Sequence, residues 1–384
     1  MWFGACTSSI GTWMQNVAQA WLVFNLSKSS FYLGLDSFLG QIPIMLFSLL
    51  GGVVADRMER RKLLLMSQFI QMSTAFTLTL LIVFGVVRIW HILVLSFIVG
   101  TAQSFGGPAY SALIPNLVKK EDLSNAIALN SIQFNLARVI GPMLGGIFLQ
   151  IGAAWCFGLN GASFIAVIIT LMMIQTRFIP PDRSGSLMTS MKQGVGFICN
   201  QSGITPLIVL AFFMTMLSIP MLVFLPVFAR DVFHRGATFF TILLCCSGAG
   251  SVCGALVVAF LGRYRQQGLV GLLLLIVLGG LVFGFSVSAN MVLSEVLVFF
   301  YGAVLMGVFA TNTSLVQLIT TDAMRGRVMS VYNVAFRGGM PIGSLLVGAL
   351  AQRYTAPAVL AWNGVLLALL GAYFLIMHRR VATL

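Results

Sequence analysis

The chain is a succession of apolar stretches of about 20 residues separated by short polar turns. At ~1.5 Å per residue, such a stretch covers the ~30 Å of hydrocarbon in a bilayer, so each one predicts a membrane-crossing helix. The spans fall at about 3–25, 32–55, 63–86, 90–113, 125–150, 155–175, 204–229, 237–261, 268–288, 292–318, 327–350 and 356–377. This pattern predicts an all-α, polytopic membrane protein of twelve transmembrane helices. The longest interruption, 176–203, divides it into an N-terminal bundle of six helices, 1–175, and a C-terminal bundle of six, 204–384. Pro180 and Pro181 end the sixth helix. Beyond them Leu187, Met191, Val195 and Ile198 recur at helical spacing, which predicts an interfacial helix on the cytoplasmic face of the linker. A flexible tether is the alternative.

Composition agrees with the pattern. Hydrophobic residues make up 59% of the chain and charged residues 8%, and the mean hydropathy is +1.00, outside the range of soluble domains. A net charge of +13 raises nucleic acid as a partner, but the placement of the charges excludes it. Arg57, Arg60, Arg61, Lys62, Lys119, Lys120, Arg325 and Arg327 fall with most other basic residues in one set of alternate loops, leaving Lys28, Arg88, Arg230, Arg235 and Arg353 for the other. The positive-inside rule makes the rich side cytoplasmic and, with an even number of spans, places both termini there. The partner implied is the lipid bilayer. The first span starts almost at Met1 without the usual short cytoplasmic lead, so a misassigned start codon is expected, and 1–25 is too long and too polar for a cleaved signal.

Little in the chain points to chemistry. The six cysteines show no CxxC spacing, and His91, His234 and His378 stand singly, so neither a metal site nor a redox centre is expected. No HExxH, Ser/Lys or paired-Asp arrangement stands inside a span, which argues against an intramembrane enzyme. No cofactor is expected.

Two motifs carry more. The turn after the second span reads GGVVADRMERRK: Gly51 and Gly52 permit close helix approach, Asp56 sits at the helix end, and Arg57, Arg60, Arg61 and Lys62 hold the turn inside. The second motif occurs twice. NLARVIGPMLGG and VAFRGGMPIGSL set Arg138 against Arg337 and Pro142 against Pro341 at one common offset, which argues for two duplicated halves.

The turn resembles the loop signature of the major facilitator superfamily, in which it serves as a cytoplasmic latch; Glu59 stands where that signature often has Gly. Ala137–Gly146 is similar to the fifth-helix signature of proton-coupled antiporters, with Ala137 in place of its first Gly. Gly141, Gly145 and Gly146 would form a smooth face packing between the halves, and Pro142 would permit bending. RGRVMSVYNVAFRGGMPIG and GTWMQNVAQAWLVFNLS resemble the exporter branch that includes enterobactin exporters and macrolide efflux proteins. The resemblance implies two pseudo-symmetric six-helix bundles of the major facilitator fold. It also implies a monomeric exporter of a small amphipathic molecule in the bacterial cytoplasmic (inner) membrane, driven by protons rather than by a cofactor. A uniporter or importer is the alternative within transport, and a receptor or scaffold that has lost transport is the alternative outside it.

Charge inside hydrocarbon costs roughly 2.5–3.5 kcal/mol at a helix centre, so intramembrane charges are the first candidates for function. Arg138 and Arg337 lie midway along their helices and would meet either an anionic cargo or a structural partner. Asp36 and Glu295 lie near the outer ends of theirs, where a carboxylate can exchange protons, paired through Arg138 or Arg337, or else sit in a wet vestibule. Gln15, Asn16, Gln103 and Asn312 are candidates to line the substrate cavity, with interhelical hydrogen bonding as the competing role.

Overall fold

The computed structural model describes residues 2–174, 196–198, 203–261 and 267–377. Most of the linker with its expected interfacial helix, and the side chain of Asp56, lie outside the described residues. Twelve long helices follow one another: α1 (Trp2–Ser27), α2 (Ser30–Arg57), α3 (Arg60–Val83), α4 (Ile89–Leu113), α5 (Leu123–Ile151), α6 (Ala153–Met173), α7 (beginning Ile204–Ser218), α8 (Ala237–Leu261), α9 (Gln267–Val287), α10 (Met291–Ile319), α11 (Asp322–Tyr354) and α12 (Ala356–Met377). Eleven are long and apolar enough to cross a membrane. The exception is α1, which has the length but not the hydropathy, because Thr12, Gln15, Asn16 and Gln19 interrupt its apolar sequence. Large apolar side chains such as Phe84, Met173, Phe260 and Trp362 point outward, as lipid-facing residues do.

Two compact units form. One comprises Met1–Arg183 with Arg235–Cys245, and the other Ser184–His234 with Cys246–Leu384. The first therefore includes the opening turns of α8, where Phe240 stacks on Trp21 of α1 at 6.1 Å. Each unit repeats one packing scheme. In the first, α1 packs on α5 and α6, and α3 on α4 and α6; in the second, α7 packs on α11 and α12, and α9 on α10 and α12. The pair α2–α4 has its counterpart in α8–α10, and both are joined through glycine. Gly51 lies against the Ser104 carbonyl, and Gly302 against the Ser247 carbonyl. Backbones approach this closely only where a Cβ is missing, which is how helices gain contact in lipid, where no hydrophobic force drives them together.

The seventh span differs from the uninterrupted helix expected at 204–229. After Ser218 it continues through short pieces, Pro220–Val223 and Leu225–Val227, and ends in a π-helical turn, Phe228–Val232. Pro220 and Pro226 each lack an N–H and interrupt the ladder. Carbonyls in the last turn before the break are bonded from other helices of the unit: Tyr301 Oη on α10 donates to Ser218 O at 2.9 Å, and Asn363 Nδ2 on α12 donates to Leu217 O at 3.2 Å.

The neighbouring glycines of α2 separate close approach from mere smallness. A Cβ on Gly51 would strike α4, whereas one on Gly52 meets open space. Gly51→Val is expected to destabilise the protein by about 1–3 kcal/mol through overpacking, and Gly52→Val to leave thermal melting in detergent unchanged. Equal melting temperatures for the two variants would show that α2 does not approach α4 at Gly51.

Candidate functional site

Thr12, Gln15, Asn16 and Gln19 recur at i, i+3, i+4 and i+7, which puts them on one face of α1. That face borders a cavity of about 110 Å³ inside the first unit. Gln41 of α2, Gln71 of α3, Gln103 of α4 and Asn160 of α6 also reach it, so carboxamides dominate the lining. They bond to one another: Asn160 Nδ2 donates to Gln15 Oε1 at 2.6 Å, and Gln103 Nε2 to Gln71 Oε1 at 3.2 Å. Gln15, Asn16 and Gln103 were expected around a cavity from sequence. Gln19, Gln71 and Asn160 were not, although the helical spacing of the polar positions in α1 was a readable signal for Gln19.

Beside the cavity lies Asp36, six residues into α2 and thus about 9 Å along the helix. Its side chain is only 8% exposed, so the wet vestibule considered from sequence does not describe it. Gln19 Nε2 donates to both carboxylate oxygens, at 3.1 and 2.9 Å, and to Ser96 Oγ at 2.9 Å. The Ser96 hydroxyl donates to Oδ1. Both partners are neutral, and among the described residues no cation pairs with this carboxylate. Three helices thus meet at one uncompensated charge.

The other intramembrane charges are arranged differently. Arg138 is half-buried midway along α5, and Glu295 is half-buried in the first turns of α10. Arg337, midway along α11, is exposed. Among the described residues Glu295 and Arg337 form no ion pair, and Asp36 is not joined to Arg138; the pairings expected from sequence are not formed in this structure. Arg337 follows Phe336, whose ring meets Phe309 at 4.7 Å and Tyr332 at 5.9 Å. Asn312 is buried on α10, where Nδ2 donates to Leu207 O at 3.4 Å and Oδ1 has no partner. It borders an apolar pocket of only about 10 Å³ in the second unit.

The basic turn acts as a clamp within the first unit. Arg60 Nη1 donates to Ala112 O at 3.0 Å in the last turn of α4. Arg61 donates from Nε to Leu171 O at 2.7 Å and from Nη2 to Met172 O at 2.9 Å, capping α6. Helix C-termini carry unsatisfied carbonyls and partial negative charge, so guanidinium groups suit both needs. Beneath the turn, Ala55, Leu63, Leu64, Ala109, Leu113 and Leu171 form a buried apolar cluster. Lys62 instead pairs with Glu59 at 2.9 Å on the surface, and Arg57 is exposed. On α5, Gly141 and Gly145 lie against Trp13 and Val17 of α1. Gly146 meets Thr241 in the α8 segment of the same unit, and Pro142 is buried.

Comparison with known proteins accounts for this architecture. The family model described as transmembrane secretion effector, MFS_3, matches residues 1–383. The chain belongs to this family. It is 27% identical to the staphyloferrin A transporter of Staphylococcus aureus over 89% of this chain and 86% of that one. It is 23% identical to macrolide efflux protein A of Streptococcus pyogenes (92% and 89% covered) and 27% identical to the enterobactin exporter EntS of Escherichia coli (92% and 84%). Among solved structures, the nucleoside transporter NupG superposes with a TM-score of 0.75 at 14% identity, covering 98% of this chain and 99% of that one. A bacterial homologue of the lysosomal transporter Spinster gives 0.76 at 14%, covering 98% and 96%. These likenesses show the fold. The secretion effector is thus a multi-pass membrane transporter of the major facilitator type, and not an enzyme.

Removing one clamp residue tests the assignment of the basic turn. Arg61→Ala loses two charge-assisted bonds to α6 and is expected to cost roughly 1.5–3 kcal/mol per bond at most, lowering the melting temperature. Lys62→Ala, which removes a surface pair, is expected to cost under about 1 kcal/mol. Equal effects would show that Arg61 does not cap α6.

Proposed function

We propose that this transporter is a proton-coupled antiporter that exports a small amphipathic compound, of siderophore or macrolide-like class, by alternating access. It lies in the bacterial cytoplasmic membrane with both termini in the cytoplasm and draws on the proton gradient without a cofactor. The observation that carries the coupling is the carboxylate of Asp36, buried with neutral donors only. The class of cargo follows from relatives named for staphyloferrin A, macrolides and enterobactin, each matched over more than four fifths of its length.

Coupling needs a group whose state changes the relative free energies of two conformations. A proton taken up by Asp36 cancels the one charge at the junction of α1, α2 and α4 and so changes the energy of that junction. The cargo binds elsewhere. At about 110 Å³ the cavity of the first unit is well below the roughly 300–1,000 Å³ of drug-sized ligand sites. Arg337, exposed midway along α11, suits an anionic cargo such as a catecholate.

Inverted membrane vesicles test this reading, because their lumen corresponds to the periplasm. With an acidic lumen, labelled enterobactin, staphyloferrin A or erythromycin is expected to accumulate, and a protonophore is expected to abolish the accumulation. Arg337→Ala is expected to weaken transport of the catecholate by tenfold or more and to affect an uncharged probe less. Binding without gradient-dependent movement would identify a receptor or facilitator instead. Accumulation by energised intact cells would identify an importer.

A further inference from the structure

We propose that the carboxamide-lined cavity of the first unit and the adjoining Asp36 together form the binding site of the coupling cation, and that Gln19 is the residue that reports its occupancy to α1. The inference rests on the coupled-export reading and adds where the ion is held and what kind of ion fits. At roughly 30 Å³ per water, a cavity of about 110 Å³ holds three or four waters, or one small cation with part of its hydration shell. Its polar lining is neutral, made of carboxamides and hydroxyls whose oxygens are suitable ligands for a small hard cation. The charge to balance that cation is Asp36, and two of its partners, Gln19 and Ser96, also line the cavity.

Among the described residues of the helices packed on α2, no other charge serves the site. Of the helices packed on α2, α1 carries no charged residue, and its titratable Cys6 lies near the opposite end from Gln19. On α4, His91 Nδ1 accepts from the Arg88 backbone at the helix start, and Tyr110 donates to Asn130 at 3.0 Å near the helix end. On α3, Arg60 and Arg61 are spent on the carbonyls of α4 and α6, and Lys62 on Glu59. Lys28 lies in the turn between α1 and α2, and Arg57 ends α2 far from Asp36.

Gln19 is the hinge of the arrangement because a carboxamide has two unlike ends. Its NH₂ now faces the carboxylate and Ser96. A protonated Asp36 or a bound cation needs an oxygen there instead, and half a turn of the amide supplies it. That turn removes the Gln19 bond to Ser96, a side-chain tie between α1 and α4. Loading the site therefore loosens α1 from α4, and emptying it restores the tie. A hydrated proton and Na⁺ share the required chemistry.

The test uses the purified full-length protein in lipid nanodiscs, with thermal melting followed as the medium is acidified, or as NaCl replaces choline chloride at fixed alkaline pH. Binding to the folded state raises the melting temperature with cation concentration, and Asp36→Asn is expected to abolish the rise, while Glu121→Gln, the same charge change on the surface, keeps it. A rise with acid alone identifies the proton; a rise with Na⁺ identifies sodium. Gln19→Met, which removes both ends of the carboxamide, is expected to shrink the rise without abolishing it and to lose gradient-driven uptake tenfold or more, in line with residues that orient a binding group. Should Asp36→Asn fail to fold, infrared difference spectra of the wild type between acid and alkali, compared with Ser96→Ala, report the same group. A carboxylic-acid band shifted by Ser96→Ala supports the site, and an unshifted or missing band, with no Na⁺ response, overturns it. A cation response that survives Asp36→Asn also overturns it. Coupled uptake that survives Asp36→Asn would leave the export reading standing and remove this site, whereas an Asp36-dependent cation response without cargo uptake would do the reverse.

Discussion

Hydrocarbon offers no hydrogen bonds, so each polar atom that enters the membrane must find its partner in the chain or face a water-filled space. Much of this molecule follows from that constraint. It explains why the break at Pro220 is accompanied by Tyr301 and Asn363, whose side chains bond carbonyls in the turn that precedes it. It explains why carboxamides on α1, α3, α4 and α6 bond to one another instead of facing lipid. The same rule governs the helix ends, where Arg60 and Arg61 take up the last carbonyls of α4 and α6. A broken backbone in α7 is thus compatible with a span because the second unit carries the donors that the break requires.

The two units share a scaffold and differ in what they do with it. Helix pairs recur in the same order, and the glycines that bring α2 onto α4 have equivalents between α8 and α10. The polar content does not recur. The first unit gathers carboxamides around a cavity beside a carboxylate, whereas the second packs the Phe309, Tyr332 and Phe336 rings together and leaves one buried amide oxygen, on Asn312, without a partner. The recurring backbone contacts depend on small residues at a few positions. Side chains facing inward were then free to diverge, because replacing one polar group with another leaves the packing of the glycine seams intact.

The succession of long helices and the family were legible in the sequence because each depends on local composition: run length, and a motif of contiguous residues. Asp36, Gln15, Asn16 and Gln103 were also visible as polar residues inside apolar runs. What escaped was the joining of residues far apart in the chain. The Gln19–Asp36–Ser96 bond set spans three helices, and its members do not differ in sequence from polar residues that merely tie helices together. Mean hydropathy also works against the reading there, since the polar stripe of α1 that lines the cavity is what lowers it below the other spans. The direction of the α5 glycine face was hidden for a similar reason. Small-residue spacing marks a contact face but does not name the partner, and Gly141 and Gly145 turn toward α1 of their own unit.

The placement of Asp36 and Arg337 follows from a difference in their chemistry. An arginine keeps its charge at any accessible pH, so Arg337, exposed midway along a span, requires a polar face whatever the transporter is doing. A carboxylate can be neutralised by what it binds. Withdrawn from water and held by two neutral donors, Asp36 has no fixed counter-charge to compete with an incoming cation, so the electrostatic energy of its junction depends on occupancy. A permanent ion pair at the same place would have removed that dependence. The lack of a cation beside Asp36 among the described residues is therefore the feature on which the proposed coupling rests, because a helix junction whose energy changes on binding is what a coupled transporter requires.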